Sequence, residues 1–302
     1  MKVALIGAGA VGGYYIWGFE NARSYDRQFT VIADGSRLDR LAKHGVKVNG
    51  TVYHPAVKSP EDAGIQDVVI VSVKGNTLRS ALPLLSPLVG EHTAVLSMLN
   101  GADSEEIIAE AIGKEHVLYS IIMIASRRAD GEVVFDQSYD TTVYYGAVDN
   151  PDKDILLAKV RDAFSGTGMK FIESKDIMLD IWTKYAKNIC NNLPQAVIGA
   201  PTALFTRSDH GMFLAKKLWE EVRQLAHLRG VSLPKEVGIY PCADHSRFST
   251  LQDLDAKRRT EVDSLCGYLL DMAHENDVNV PYIEYTYHAI KALEEKNEGV
   301  FD

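Results

Sequence analysis

The chain has 302 residues, of which 46% are hydrophobic and 24% charged, and its formal net charge is −9. That length and composition fit a globular chain of two domains, or one large one, with a full core, and the negative balance argues against nucleic acid or an anionic membrane as a main partner. Three cysteines (Cys190, Cys242 and Cys266) with no CxxC pair suggest neither a disulfide framework nor a zinc site, and the histidines lack HExxH spacing, so no metal is expected.

No charged segment followed by a long apolar one opens the chain. No apolar run reaches the roughly 18 residues that span a bilayer. A cytoplasmic location with reduced thiols is expected.

Lys2–Ile6 (KVALI) reads as a buried parallel strand. Gly7-Ala8-Gly9-Ala10-Val11-Gly12 follows, and residues 14–19 continue as a helix. A GxGxxG placed between strand and helix is a dinucleotide fingerprint. Gly7 permits the tight turn, Gly9 lets a pyrophosphate approach the backbone, and Gly12 lets helix and strand pack closely. The second strand, residues 29–33 (FTVIA), ends at Asp34, with Arg37 three residues on. A carboxylate at that point accepts hydrogen bonds from an adenosine ribose and repels a 2′-phosphate, which favours NAD. Arg37 could instead clamp a 2′-phosphate, which keeps NADP open.

Residues 67–73 (DVVIVSV) and 93–98 read as further parallel strands, ending at Lys74 and at Leu99-Asn100-Gly101. Ligands of open α/β sheets bind beyond the carboxyl ends of the strands, so Lys74 and Asn100 are candidates to meet cofactor or substrate. Residues 117–124, 132–135 and 141–146 look like later strands, 154–164 like a helix and 170–172 like a last strand. A dinucleotide-binding Rossmann domain over 1–172 and a helical substrate and catalytic domain over 173–302 are expected. The fold class is α/β: an N-terminal Rossmann-type doubly wound sheet followed by an all-helical C-terminal domain.

In the second half, a helix is expected from 177 to about 193, stopped or kinked by Pro194. Further helices are expected over 211–228, from 258–263 to about 275, and over 286–295, with 234–247 less regular. Lys184, Asn188 and Asn192 are spaced four and four. At roughly 100° per residue they share one slowly drifting helix face, where a cation and two amides can hold a small oxygen-rich molecule.

Several separated motifs together resemble the ketopantoate reductases (2-dehydropantoate 2-reductases) over essentially the full length. They are GAGAVGG at 7–13, VSVKGNT at 71–77, LNG at 99–101, WTKYAKN at 182–188 with Asn192, FSTLQD at 248–253 and RTEVD at 259–263. The resemblance implies Lys184 and Glu261 as catalytic residues. It implies Asn188, Asn192 and Ser249 as substrate-binding residues, Lys74 and Asn100 near the nicotinamide, and residues 7–12 as the pyrophosphate loop. The chain departs from the family's usual Gln-Asn-Gly at Leu99, from Asn-Pro-Leu-Thr-Ala at residues 192–196, and from a further asparagine at Thr202. NADPH-using members usually carry arginine where Asp34 stands, and an acidic residue there looks more like the related NAD-dependent D-2-hydroxy-acid dehydrogenases.

The expected reaction is hydride transfer from NAD(P)H to a 2-oxo acid, giving a D-2-hydroxy acid, with ketopantoate as the leading substrate. Lys184 protonates the nascent alkoxide. Glu261 orients the lysine or bonds the product hydroxyl, Asn188 and Asn192 hold polar groups, and Ser249 bonds the carboxylate, with Asn100 also able to reach the substrate. An NAD-dependent D-2-hydroxy-acid dehydrogenase for other branched or aromatic 2-oxo acids is the alternative, and a non-catalytic NAD(P)-binding redox sensor is the third reading. The partner expected is a small anionic 2-oxo acid, with neither nucleic acid nor membrane and with a homodimer left open as the assembly.

Overall fold

The computed structural model describes residues 1–22, 25–150 and 152–301. Its contacts divide the chain into two compact units. One comprises Met1–Leu99 and Asp103–Ile177; the other comprises Asn100–Ala102 and the chain from Met178 onward.

Among the described residues the first unit holds twelve strands in chain order: β1 Lys2–Ile6, β2 Gln28–Ile32, β3 Val46–Val48, β4 Thr51–Tyr53, β5 Ala56–Lys58, β6 Val68–Val71, β7 Ala94–Ser97, β8 Val117–Met123, β9 Ser126–Ala129, β10 Glu132–Phe135, β11 Thr142–Gly146 and β12 Lys170–Glu173. Eight of them form one sheet in the order β12-β11-β8-β7-β6-β1-β2-β5. All its pairs are parallel except β8 with β11.

The central strands are apolar without a break because both faces are buried. Their side chains alternate between two cores, as a two-residue period demands. Val3, Leu5, Val68, Ile70, Ala94 and Leu96 pack on one face with Tyr15, Ile16 and Phe19 of the helix Ala10–Asn21. Ala4, Ile6, Val69, Val71 and Val95 pack on the other face with Leu78, Leu85, Leu88 and Ile108. The sheet is therefore doubly wound and of Rossmann type. The chain runs from β1 outward through β2 to β5 and then returns to β6 on the other side of β1, which puts the switch point between β1 and β6.

A second, four-stranded sheet has the order β4-β3-β10-β9. Asn49, at φ +44°, extends the pairing of β3 with β10 through its side chain. Its amide donates to the Phe135 carbonyl at 3.0 Å and its Oδ1 accepts from the Phe135 N–H at 3.0 Å. A Cβ on Gly13 would stand 2.6 Å from Val133, so only glycine lets the first helix lie this close to the small sheet.

Beyond residue 178 the described residues form helices and irregular segments, without strands. Among the described residues, no helix is long and apolar enough to cross a membrane.

The helix Ile177–Ile198 does not stop at Pro194, one of the two outcomes expected there, but continues past it. A proline inside a helix costs roughly 3 kcal/mol, yet Leu193, Pro194 and Gln195 are buried and their packing outweighs that cost. The helix stops at Gly199 instead, whose φ of +72° and N–H bond to the Gln195 carbonyl at 2.8 Å make an ordinary glycine C-terminus.

Candidate functional site

The first unit builds its candidate site on the loop after β1. Gly7 has φ +104°, and a Cβ there would lie 2.7 Å from the Ser72 carbonyl oxygen. The Ser72 hydroxyl donates to the Gly7 carbonyl at 2.7 Å, tying the loop to the end of β6 across the switch point. A Cβ on Gly12 would collide with that same Gly7 carbonyl. Gly9 differs: the nearest atom to its would-be Cβ is 4.0 Å away, so this glycine leaves space on the open side of the loop.

The helix Ala10–Asn21 starts there with no side-chain cap and no acidic residue in its first turn. Ala8 is buried, and Ala10 and Val11 begin the helix half-buried. The loop thus offers uncapped N–H groups, a positive dipole end and room for an approaching group. Those features fit the pyrophosphate of a dinucleotide.

Asp34 is exposed and is the N-terminal flanking residue of the helix Gly35–His44. Its carboxylate makes no capping bond, so capping does not explain it. Arg37 is exposed on the first turn of that helix. Lys74 is exposed two residues beyond Ser72, and its carbonyl accepts from the N–H and the hydroxyl of Thr77, both at 2.9 Å.

The same unit carries a cleft that the sequence did not reveal. It measures about 270 Å³ and is lined by Ala8 of the loop, by Arg37, Arg40 and His44 on one face of their helix, and by Lys47 and Arg128 of the small sheet. Lys47 is paired with Glu132 at 3.0 Å. In a chain of net charge −9, this concentration of guanidinium groups makes a local positive field suited to an anion.

The second unit gathers the other candidates. Lys184, half-buried on the long helix, donates from Nζ to the Asn100 Oδ1 at 3.1 Å. The Asn100 amide nitrogen lies 3.4 Å from the Glu261 Oε2, to which it donates. Asn100 therefore bridges lysine and carboxylate, a position that its assignment to the nicotinamide end did not foresee.

Asn188 is 9% exposed and Asn192 7%, both on the expected helix face. The Tyr240 hydroxyl donates to the Asn188 Oδ1 at 3.1 Å, which leaves the amide N–H groups of Asn188 as its outward donors. Ser249 is exposed and opens the short helix Ser249–Asp255. The N–H of neighbouring Phe248 donates to the Gln195 Oε1 at 3.1 Å, holding Ser249 near the C-terminal end of that face.

Asn191 and Tyr240, both missed in the sequence, organise this region together with Thr202. Asn191 is fully buried; it donates to the Gly238 carbonyl at 2.9 Å and accepts from the Tyr240 N–H at 3.0 Å. The irregular segment 234–247 is thereby strapped along the helix, and Tyr240 reaches Asn188. Thr202 pins the far end of the strap, with its N–H on the Ser246 carbonyl at 3.0 Å and its hydroxyl on the Ala243 carbonyl. The Asn-Asn pair at 191–192 was the visible signal, since adjacent helix residues point roughly 100° apart and cannot serve one face. Among the described residues, no group of three or more metal-ligating side chains is present.

A glycine loop of this build fits a dinucleotide, and the relatives give the class: the chain is a nicotinamide-dependent oxidoreductase. Residues 3–150 match the family model described as ketopantoate reductase PanE/ApbA, and residues 176–294 match its C-terminal counterpart. The chain belongs to the ketopantoate reductase family. A 2-dehydropantoate 2-reductase of Nostoc sp. is 28% identical over 98% of this chain and 96% of its own length. Among solved structures, a D-mandelate dehydrogenase with NADH and anilino(oxo)acetate shares the fold at TM-score 0.86 and 20% identity, covering 99% of both chains. A dimeric ketopantoate reductase from Staphylococcus aureus shares it at TM-score 0.77 and 21% identity, covering 98% of this chain and all of the other.

Proposed function

We propose that this chain reduces a 2-oxo acid to a D-2-hydroxy acid with NAD(P)H, ketopantoate to pantoate being the leading case. The observation that carries the reading is the run Lys184–Asn100–Glu261, with contacts of 3.1 and 3.4 Å. A nicotinamide held by the loop Gly7–Gly12 would supply the hydride for the carbonyl carbon. As the C=O π bond breaks, its electron pair moves onto oxygen, and the Lys184 ammonium hydrogen-bonds that oxygen and gives it a proton. The positive charge matters most where the alkoxide develops.

Asn100 holds the lysine through its carbonyl oxygen and Glu261 through its amide, so one side chain fixes the orientation of both. The N–H groups of Asn188 and the amide of Asn192 bond the substrate's oxygens, and the Ser249 hydroxyl bonds its carboxylate. The loop Gly7–Gly12 and Lys74 hold the cofactor.

Asp34 supports NADH, because an exposed carboxylate that caps nothing is available to a ribose diol and repels a 2′-phosphate. With NADH, the alternative substrate class is the branched or aromatic 2-oxo acids, in keeping with the fold likeness to the D-mandelate dehydrogenase. NADPH is favoured by a separate observation, the cationic cleft of Arg37, Arg40 and Arg128 beside Ala8. We place the enzyme in the cytoplasm and take a homodimer as its assembly, as in the Staphylococcus aureus relative.

Lys184→Ala tests the reading. Removing a donor aimed at a developing oxyanion costs about 10²–10³ in kcat. Steady-state kinetics on ketopantoate should show that loss while nucleotide affinity, read by fluorescence titration, stays within twofold. A kcat within a few-fold of the parent would sink the mechanism.

A further inference from the structure

Glu261 sits where regular structure is interrupted. The segment before it is irregular from Lys257, which itself has φ +52°, and a π-helical turn, Asp263–Gly267, follows almost at once. A π-turn inserts one residue into a helix and is a frequent mark of a functional site. The backbone here has no regular helix to set the direction of the Glu261 carboxylate.

The last helix, Pro281–Asn297, grips both sides of this residue. On one side, Glu294 is 5% exposed and Thr260 3%. A single oxygen, the Glu294 Oε1, accepts from the Thr260 N–H at 2.7 Å and from the Thr260 hydroxyl at 2.7 Å. The Thr260 hydroxyl oxygen in turn accepts from the Val262 N–H at 3.2 Å, closing a turn around Glu261. On the other side, Asp263 accepts from the Tyr287 hydroxyl at 2.9 Å and from the Lys291 ammonium at 3.0 Å. Lys291 also pairs with Glu294 at 3.2 Å. Residues 287, 291 and 294 are spaced four and three, so they form one face of one helix. The Tyr185 hydroxyl, one residue from Lys184, donates to the Leu265 carbonyl inside the π-turn at 2.5 Å.

We propose that Glu294 is a positioning residue for the reduction: through Thr260 it fixes the backbone that aims Glu261 at Asn100 and Lys184. The inference rests on the 2-oxo acid reductase reading above. A buried carboxylate accepting two short bonds is costly to disturb, because its loss leaves two buried donors of Thr260 unpaired. The contact it protects is long, 3.4 Å between Asn100 and Glu261, so a small backbone shift breaks it.

The test is a series of full-length variants assayed with ketopantoate and NAD(P)H well below the melting temperature. Glu294→Ala should lower kcat by about 10–100-fold with the KM for the nucleotide unchanged, since displacements of about 1 Å carry losses of that order. Glu294→Gln keeps a carbonyl oxygen for both Thr260 donors and should restore kcat to within about threefold of the parent. Thr260→Val removes the hydroxyl alone and should fall between them; it carries the test if Glu294→Ala does not fold. A purely structural Glu294 would lower the melting temperature and leave kcat in place. The clamp is overturned by a kcat for Glu294→Ala, or for Thr260→Val in its stead, within threefold of the parent, or by no rescue in Glu294→Gln. A parent chain that turns over no 2-oxo acid overturns the reductase reading and the clamp with it, whereas turnover with unmoved variants overturns the clamp alone.

Discussion

Glu105 offers a pH experiment whose sign and size follow from its surroundings. It is the second residue of the helix Ser104–Ile112 and is 3% exposed. Its Oε2 accepts from the Ser104 hydroxyl at 2.8 Å and its Oε1 from the Ser120 N–H at 3.3 Å. Ser104 and Ser97 share a hydrogen bond of 2.7 Å, and the Ser120 hydroxyl donates to the Ser97 carbonyl at 2.7 Å. The network thus locks the end of β7, from which the chain passes directly to Leu99 and Asn100. Burial pushes the Glu105 carboxyl up from 4.5 to about 7, against the opposing bonds from Ser104 and Ser120 and with a smaller push from Asp103.

A raised carboxyl holds its proton more tightly folded than unfolded. Its contribution is fully present below pH 4.5, falls as pH rises and is gone above about 7. Two and a half pH units at 1.36 kcal/mol each make the loss roughly 3 kcal/mol. Glu105→Gln keeps a carbonyl oxygen for the Ser120 N–H, offers its amide N–H to the Ser104 hydroxyl oxygen, and cannot ionise. Differential scanning calorimetry from pH 4.5 to 8 should therefore show variant and parent melting together at the acid end. The variant should lead by roughly 6–12 °C at pH 8, taking about 2–4 °C per kcal/mol for a unit of this size. A difference that does not change with pH would refute the assignment of the buried charge.

Two further outcomes follow from the two candidate sites. Asn100→Asp keeps an oxygen for Lys184 but removes the donor to Glu261 and sets two carboxylates side by side, so kcat on ketopantoate should fall by about 10–100-fold, more than for a loop residue without contacts; steady-state rates check it. For the cofactor, 2′,5′-ADP and 5′-AMP titrated against the chain by calorimetry separate Asp34 from the cleft. If Asp34 reads the ribose, 5′-AMP binds at least as well and Asp34→Ser raises affinity for 2′,5′-ADP by about tenfold or more, the worth of relieving one close like-charge contact; a parent that prefers 2′,5′-ADP, and loses that preference in Arg128→Ala, assigns the phosphate to the cleft.

The sheet and its glycine loop were legible because continuous apolar runs and a placed GxGxxG are local signals. Asn100 became a candidate by the rule that ligands gather beyond strand ends. That rule names a place and not a partner, and the partners proved to be Lys184 and Glu261. The strand β10 was expected, but β3 and β4 have three residues each, too few for any period to show, and so their pairing into the small sheet and the cleft it helps line were invisible. Pro194 misled because its missing N–H is visible in the sequence and the packing around it is not. Asn191 and Glu294 were hidden for a related reason: a polar residue on a buried helix face reveals its task only when the segment it holds is in place.

The polar residues of the long helix divide by task, and the division has a consequence for mutagenesis. Lys184 bonds Asn100 and Asn188 accepts from the Tyr240 hydroxyl, whereas Asn191 and Gln195 spend their polar groups on the strap and on the Phe248 N–H. The proposed proton donor, its amide bridge and its carboxylate come from three distant stretches, at residues 184, 100 and 261, yet all three lie within one compact unit. Their mutual geometry is then set by that unit's own packing: by Tyr185 on the π-turn, by Asn191 on the strap and by the last helix on Thr260. Changes at Lys184, Asn100 or Glu261 should alter the chemical step while the glycine loop, in the other unit, keeps its affinity for the nucleotide. Changes at Asn191 should act differently, releasing Tyr240 from Asn188 and raising the KM for the 2-oxo acid before they touch kcat.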